Sequence, residues 1–168
     1  WQLQRVMMYL DKLPVQIVCM DHIEADDAIA YICKQYFEEH SNKIRIVSTD
    51  RDFLQLVSDQ IEVYSPVKKV TYSPKTIQTE LDLHPDNYLL YRMVTGDTSD
   101  NIPGISGHGH KTIIKYFQRL TKQKVEREYL FDVASKGLEE KKPKAVYKTL
   151  LENKEQIEIN YNLMQLSE

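Results

Sequence analysis

Seven carboxylates fall in three short blocks: Glu24, Asp26 and Asp27; Asp50 and Asp52; Asp97 and Asp100. Acids this dense repel one another unless a cation or a proton neutralises them. Their hard oxygen donors suit Mg²⁺ or Mn²⁺. Nothing supplies the cysteine and histidine set that zinc prefers. Clustered carboxylates can hold two such ions roughly 3.5–4 Å apart, an arrangement that activates water and steadies the leaving oxygen in phosphodiester cleavage. Each block also has a purely structural explanation. Asp26 or Asp27 could cap a helix, Asp50 and Asp52 could form a turn, and Asp97 and Asp100 could form a loop. Three blocks in similar settings favour the metal.

The third block runs into Asn101-Ile102-Pro103-Gly104-Ile105-Ser106-Gly107-His108-Gly109-His110-Lys111-Thr112. Gly104, Gly107 and Gly109 permit positive φ and close backbone approach, and Pro103 stiffens the start of the turn. Unsatisfied N–H groups at the start of the next helix suit a phosphate. Lys111, Lys115, Arg119 and Lys122 then form a stripe at i, i+4, i+8 and i+11, with Ile113, Phe117 and Leu120 on the other side. Amide donors beside lysines read a phosphate backbone and need no base-specific side chain. A hairpin that only reverses the chain is the plainer alternative. His108 and His110 read as exposed turn residues, and His22 is given no role. Tyr116 could stack on a base, whereas most of the 11 tyrosines read as core.

The elements that must position these groups follow from periodicity. Leu3 to Leu13 reads as a helix ended by Pro14, and Val15 to Met20 as a buried strand. In the next helix Ile29, Ile32, Cys33, Tyr36 and Phe37 make one apolar stripe, with Asp26 and Asp27 in its first turn. Ile44 to Ser48, Ile61 to Tyr64 and Val70 to Tyr72 read as strands, with a short helix around Phe53 to Val57 and a turn at Pro66. This order predicts an α/β sheet, in which sites form beyond the carboxyl ends of strands. Helices are expected at Pro74 to Asp82, Pro85 to Thr95, Gly109 to Leu120, Val125 to Ser135 and Pro143 to Leu166.

The 168 residues suffice for one domain with a real core, and 42% hydrophobic with 28% charged content is ordinary for a globular protein. No apolar run is long enough to span a membrane, and no secretory pattern opens the chain. Cys19 and Cys33 read as reduced core residues, which points to the cytoplasm. The formal charge of -3 hides a split. Residues 1–104 carry 10 basic against 16 acidic residues, whereas residues 105–148 carry 11 against 5. Such a division suits a protein that holds cations in one place and a polyanion in another.

Glu24-Ala25-Asp26-Asp27, Ser48-Thr49-Asp50-Arg51-Asp52-Phe53-Leu54-Gln55-Leu56 and Gly96-Asp97-Thr98-Ser99-Asp100-Asn101-Ile102-Pro103-Gly104 together resemble the signature blocks of the 5′-nuclease superfamily. Phage 5′-3′ exonucleases (flap endonucleases) and the 5′-nuclease domain of bacterial DNA polymerase I are the members it looks most like. The likeness runs over roughly residues 15–125. It implies a partial PIN-like sheet flanked by helices in residues 1–95. A helix–three-turn–helix region and C-terminal helices would follow in 96–168, all in one compact unit. It further implies a divalent-metal-dependent enzyme cutting DNA at 5′ ends, flaps or RNA primers, in replication or repair. Such an enzyme would be a monomer in a bacterial cytoplasm or, for a phage, that of its host.

Carried over by position, Glu24, Asp26 and Asp27 would serve one metal, and Asp50, Asp52, Asp97 and Asp100 the other. Gly104, Gly107 and Gly109 would grip duplex phosphates, with Lys111, Thr112 and Lys115 beside them and a K⁺ ion on the carbonyls of the turn. The family's first strand, a further aspartate and the helical arch have no counterpart here. The chain is therefore expected to be the C-terminal part of such a nuclease. As an alternative, it would be a duplex-binding module that does not cut.

Overall fold

The computed structural model describes residues 1–36 and 43–166. Three strands form its sheet: β1 (Ile44–Val47), β2 (Ile61–Ser65) and β3 (Val70–Tyr72), in that order. β1 lies parallel to β2, with Ile44 opposite Ile61, and β2 lies antiparallel to β3, with Val63 opposite Tyr72. Side chains alternate across a strand. Accordingly Ile61, Val63 and Ser65 are buried while Glu62 and Tyr64 are only partly covered. Between β1 and β2 a 3₁₀ turn, Asp52–Leu56, buries Phe53, Leu54 and Leu56 beneath the sheet's carboxyl end. The strand and turn expectations for residues 44–72 hold to within a residue or two.

Helices cover the rest. α3 (Pro74–Leu81) opens with proline at its first position and is capped by Ser73, whose hydroxyl accepts from Thr76 N at 3.3 Å. A 3₁₀ turn at Pro85–Asn87 leads into α4 (Tyr88–Thr95), which stops at Gly96 with φ 71°. The helix expected over Gly109 to Leu120 is two helices, α5 (His110–Tyr116) and α6 (Arg119–Lys122). Phe117 leaves the helical region, at φ -122° and ψ 55°, and buries its ring completely. The basic stripe is therefore broken after Lys115.

α7 spans Glu128–Leu138. The last expected helix is also two, α8 (Ala145–Glu152) and α9 (Lys154–Met164), separated at Asn153. α9 packs on α4 and α7 on α8. Gly137 makes the second contact possible, because a Cβ there would lie 2.3 Å from the Tyr147 ring.

The N-terminal stretch departs from expectation. α1 (Gln2–Leu10) has no buried residue. Val15 to Met20 is not a strand, and Val15, Ile17 and Val18 are about half exposed. A strand exists only by pairing. Among the described strands β1 pairs with β2 alone, so no strand pairs with this segment. Cys19 is exposed, contrary to the core reading, and Cys33 is buried. α2 (Ala25–Tyr31) continues into a π-helical turn, Ile32–Tyr36; Phe37, the end of the expected stripe, lies outside the described residues.

Candidate metal centre and nucleic-acid interface

The chain leaves β1 through Ser48 and Thr49 into the second acidic block. Ser48 Oγ accepts from Asp50 N at 3.0 Å, and Asp50 Oδ1 accepts from Asp52 N at 2.8 Å. These short side-chain bonds turn the backbone and aim Asp52 toward the end of α4. There the third block is held differently. Asp97 and Ile102 form an antiparallel bridge, with N–H···O distances of 2.9 and 2.7 Å. The bridge closes a loop whose Asn101 sits at φ 58°. Asp97 Oδ1 also accepts from Ser99 N at 2.8 Å.

Gly96 and Gly104 let the two arms of this loop touch. A Cβ on Gly96 would stand 2.3 Å from Gly104 N, and one on Gly104 would stand 2.1 Å from the Thr95 carbonyl oxygen. Asp52, Asp97 and Asp100 thereby each bring a carboxylate oxygen within 4.8 Å of the other two. Asp50, Asp97 and Asp100 line a cleft of about 640 Å³ together with Arg51, Tyr91 and Arg92.

Arg92, from α4, is the residue that sequence reasoning missed. Its Nη2 lies 3.1 Å from Asp52 Oδ1 and also bonds Asp97 Oδ2, at 13% side-chain exposure. Its buried Nε has no partner. Burial raises the Asp52 carboxyl above its ordinary value; Arg92 opposes this, and Asp50 and Asp100 add to it. Asp100 is in no ion pair among the described residues.

Glu24, Asp26 and Asp27 stand outside this triplet, at the N-terminus of α2 and not beyond a strand. They still feel it: burial raises the Asp26 carboxyl, and then the charges of Asp50, Glu24, Asp27 and Asp100 raise it further. The donor set is all carboxylate, and one guanidinium does not balance it. Such a set fits a hard divalent ion.

The glycine turn is anchored from behind. His108, expected to be exposed, is 1% exposed, and its ring nitrogens face the Ser106 and Val146 carbonyls at 3.0 and 2.9 Å. The turn is thus tied to α8. Asn160 of α9, fully buried, donates from Nδ2 to the Met93 carbonyl at 2.9 Å and the Pro103 carbonyl at 2.8 Å. His110 is half-buried, edge-on to Tyr91 at 5.6 Å, so it too is not a free turn residue.

Of the three glycines expected to need their freedom, Gly107 has φ 77° and Gly104 needs the space. Gly109, at φ -69° with open space around its Cβ position, needs neither. The Thr112 amide is used inside the turn of helix, donating to Gly109 O at 2.9 Å. Lys111 and Lys115 remain exposed.

An acidic cleft at the end of a small α/β sheet thus lies beside a glycine turn and a basic helix, with carboxylates that could hold a hard divalent ion and lysines that could meet a polyanion. Residues 1–82 match the family model of the 5′-3′ exonuclease N-terminal resolvase-like domain. The 5′-3′ exonuclease of Buchnera aphidicola is 28% identical over 165 residues, covering 98% of this chain and 57% of that protein. The thermostable DNA polymerase I of Thermus filiformis is 35% identical over 114 residues, covering 68% of this chain and 13% of that protein. The fold is shared with the bacteriophage T5 flap endonuclease, solved as a pseudo-enzyme-product complex with DNA and metal ions. That match has a TM-score of 0.76 at 20% identity and covers 98% of this chain and 58% of that one. The chain belongs to the 5′-nuclease superfamily. It spans under two thirds of the length of each of these relatives. Among the described residues no helix is long and apolar enough to cross a membrane.

Proposed function

We propose that this chain carries the second acidic site and the duplex-binding region of a 5′-3′ exonuclease or flap endonuclease. Residues 1–95 would form the catalytic part, and 96–168 the helix–three-turn–helix region with the C-terminal helices. What carries the reading is the convergence of Asp52, Asp97 and Asp100 within 4.8 Å. They come from two sequence blocks and meet beside a turn that resembles a DNA clamp. Asp50, Asp52, Asp97 and Asp100 would hold one divalent ion, and Glu24, Asp26 and Asp27 the other. Two bound Mg²⁺ or Mn²⁺ ions would neutralise the phosphodiester and make a water nucleophilic near neutral pH.

The chain's own part is positional. Gly107 and Gly109 would leave the turn's backbone open to phosphates, with Gly104 packed against Thr95 behind them, and Lys111, Thr112 and Lys115 would flank that approach, with K⁺ on turn carbonyls as a further ligand. Arg92 draws Asp52 and Asp97 together against their mutual repulsion and orients their other oxygens. Tyr91 and Arg51 wall the cleft. No side chain here is assigned as the general base.

The test is incubation with a 5′-flap duplex in Mg²⁺, beside Asp97→Ala. Cleavage should fall by at least about 100-fold, more than changes around a metal's ligands cost, while duplex affinity persists. Equal Mg²⁺-dependent cleavage by both proteins would discard the metal assignment. A second reading, a binding module without cutting, is favoured by one observation: residues 1–23, which lead into the Glu24 block, bury no side chain. Duplex binding with no Mg²⁺-dependent cleavage would select it.

A further inference from the structure

We propose that Lys115, Arg119 and Lys144 form a second phosphate-binding pocket for duplex nucleic acid, at the opposite end of α5 from the glycine turn. The proposal rests on nucleic acid being the ligand class named above. The three cations come from three elements: Lys115 from α5, Arg119 from α6, and Lys144 from the N-cap of α8. They edge one concavity of about 550 Å³ whose walls are Tyr116, Tyr129 and Tyr147. The break at Phe117 creates this meeting, because it takes Arg119 off the line of Lys111 and Lys115 and sets it against α7.

The rings hold the cations in place. Lys115 Nζ stands 5.5 Å and Lys144 Nζ 5.0 Å from the Tyr116 ring centroid. Arg119 Cζ stands 5.1 Å from that of Tyr129, whose hydroxyl also accepts from Arg119 N at 3.2 Å. Tyr116 is fixed in turn by Tyr147, edge-on at 5.7 Å, and Tyr147 is itself buried over Gly137. Cation–π contact orders a long basic side chain without neutralising it. Among the described residues no carboxylate lies within ion-pair distance of any of the three. Like charges gathered on one concavity repel, and an anion relieves them.

A phosphodiester backbone is the anion favoured, for two reasons. The pocket lies in the segment 105–148, which carries 11 basic against 5 acidic residues. Lys115 also follows Lys111 by one helical turn on the same face. The seven residues of α5 span about 10 Å, roughly the axial rise of three base pairs at about 3.4 Å each. One backbone could therefore meet the turn and the pocket together. The aromatic rings are covered by cations and are not offered as a platform for unpaired bases.

Fluorescence anisotropy in EDTA separates binding from cleavage. The probes are a labelled blunt duplex and the labelled single strand of the same length, titrated from 0.05 to 0.3 M KCl as a practical range around the ~0.1 M at which such contacts are screened. Lys144→Ala should weaken duplex binding about eight-fold at ~0.1 M salt and lower the salt slope by about 0.9. Arg119→Ala with Lys144→Ala should lower it by about twice that. Lys136→Ala, an exposed charge outside the pocket, should leave the slope unchanged. An unchanged slope in the pocket variants would overturn the proposal. So would an equal loss in Lys136→Ala, or a loss confined to the single strand. Mg²⁺ cleavage of a flap is scored separately. A protein that cuts normally with an unaltered slope refutes the pocket alone; one that binds through the pocket without cutting refutes the nuclease reading alone.

Discussion

Two sets of acids face each other in this molecule, and they are held in opposite ways. Asp52 stands on a turn whose Phe53 and Leu54 are 2% and 1% exposed, and Asp97 is locked by its bridge to Ile102. Arg92 lies between them. Asp26 and Asp27 instead open a helix that follows 23 residues with no buried side chain. The first set is built in advance and partly neutralised. The second opens a helix that packs through Ala30 but follows an unpacked segment, and among the described residues it is in no ion pair. The contrast separates what the fold supplies, carboxylate position, from what a bound ion supplies, charge balance.

The largest effect on stability is expected at Arg92. Arg92→Gln keeps much of the stem but leaves Asp52 and Asp97 with no guanidinium. Breaking a buried pair by removing one partner costs about 3 kcal/mol or more. At about 2–4 °C per kcal/mol, the melting temperature in EDTA should fall by about 6–12 °C. Mn²⁺ should return part of the loss, because the ion replaces the missing charge. A melting temperature equal to the wild type's would show that the first set is not electrostatically prearranged, and the contrast would fail.

Next in size is a comparison inside the turn. Gly104→Ala drives a Cβ into the Thr95 carbonyl at 2.1 Å, where backbone meets backbone and cannot yield cheaply. Overpacking of this kind costs about 1–3 kcal/mol. Gly109→Ala meets open space at an ordinary φ and should cost no more than about 0.5 kcal/mol, the small penalty of alanine at a helix cap. Urea unfolding of the two variants measures the difference. Equal losses would mean that the loop behind the acids is not held by close backbone contact.

Local signals made part of this visible beforehand. The strand at Ile61-Glu62-Val63-Tyr64 and the turn at Asp50 and Asp52 are decided within a few residues, and the structure keeps both. The break at Phe117 was hidden because apolar spacing continues through it to Leu120, and only packing decides that the ring turns inward. His108 read as solvent-exposed because a polar residue between glycines usually is; its partner Val146 lies 38 residues away. Arg92 was half hidden for the same reason: Asp97 lies only five residues on, but Asp52 is 40 residues distant. Val15 to Met20 shows the reverse failure. Its composition suits a strand, but a strand also needs a neighbour.

The smallest effect belongs to the second set, and its sign is the informative part. Burial first, and then Asp50, Glu24, Asp27 and Asp100, raise the Asp26 carboxyl above its ordinary value. A raised carboxyl means that the native state binds the proton more tightly than the unfolded chain. Its stabilising share is therefore complete in acid and is lost as pH climbs through the raised value. Asp26→Asn removes the charge without removing the shape. In EDTA at pH 7 the variant should melt slightly higher than the wild type, by about 2 °C or less, since Asp26 is partly solvated and water screens the repulsion. Near pH 3 the two should coincide. Adding Mn²⁺ should reverse the order, because the wild type gains a ligand pair and the variant does not. If the variant instead melts lower in EDTA, the charge on Asp26 already has a partner, and the second set is not waiting for an ion.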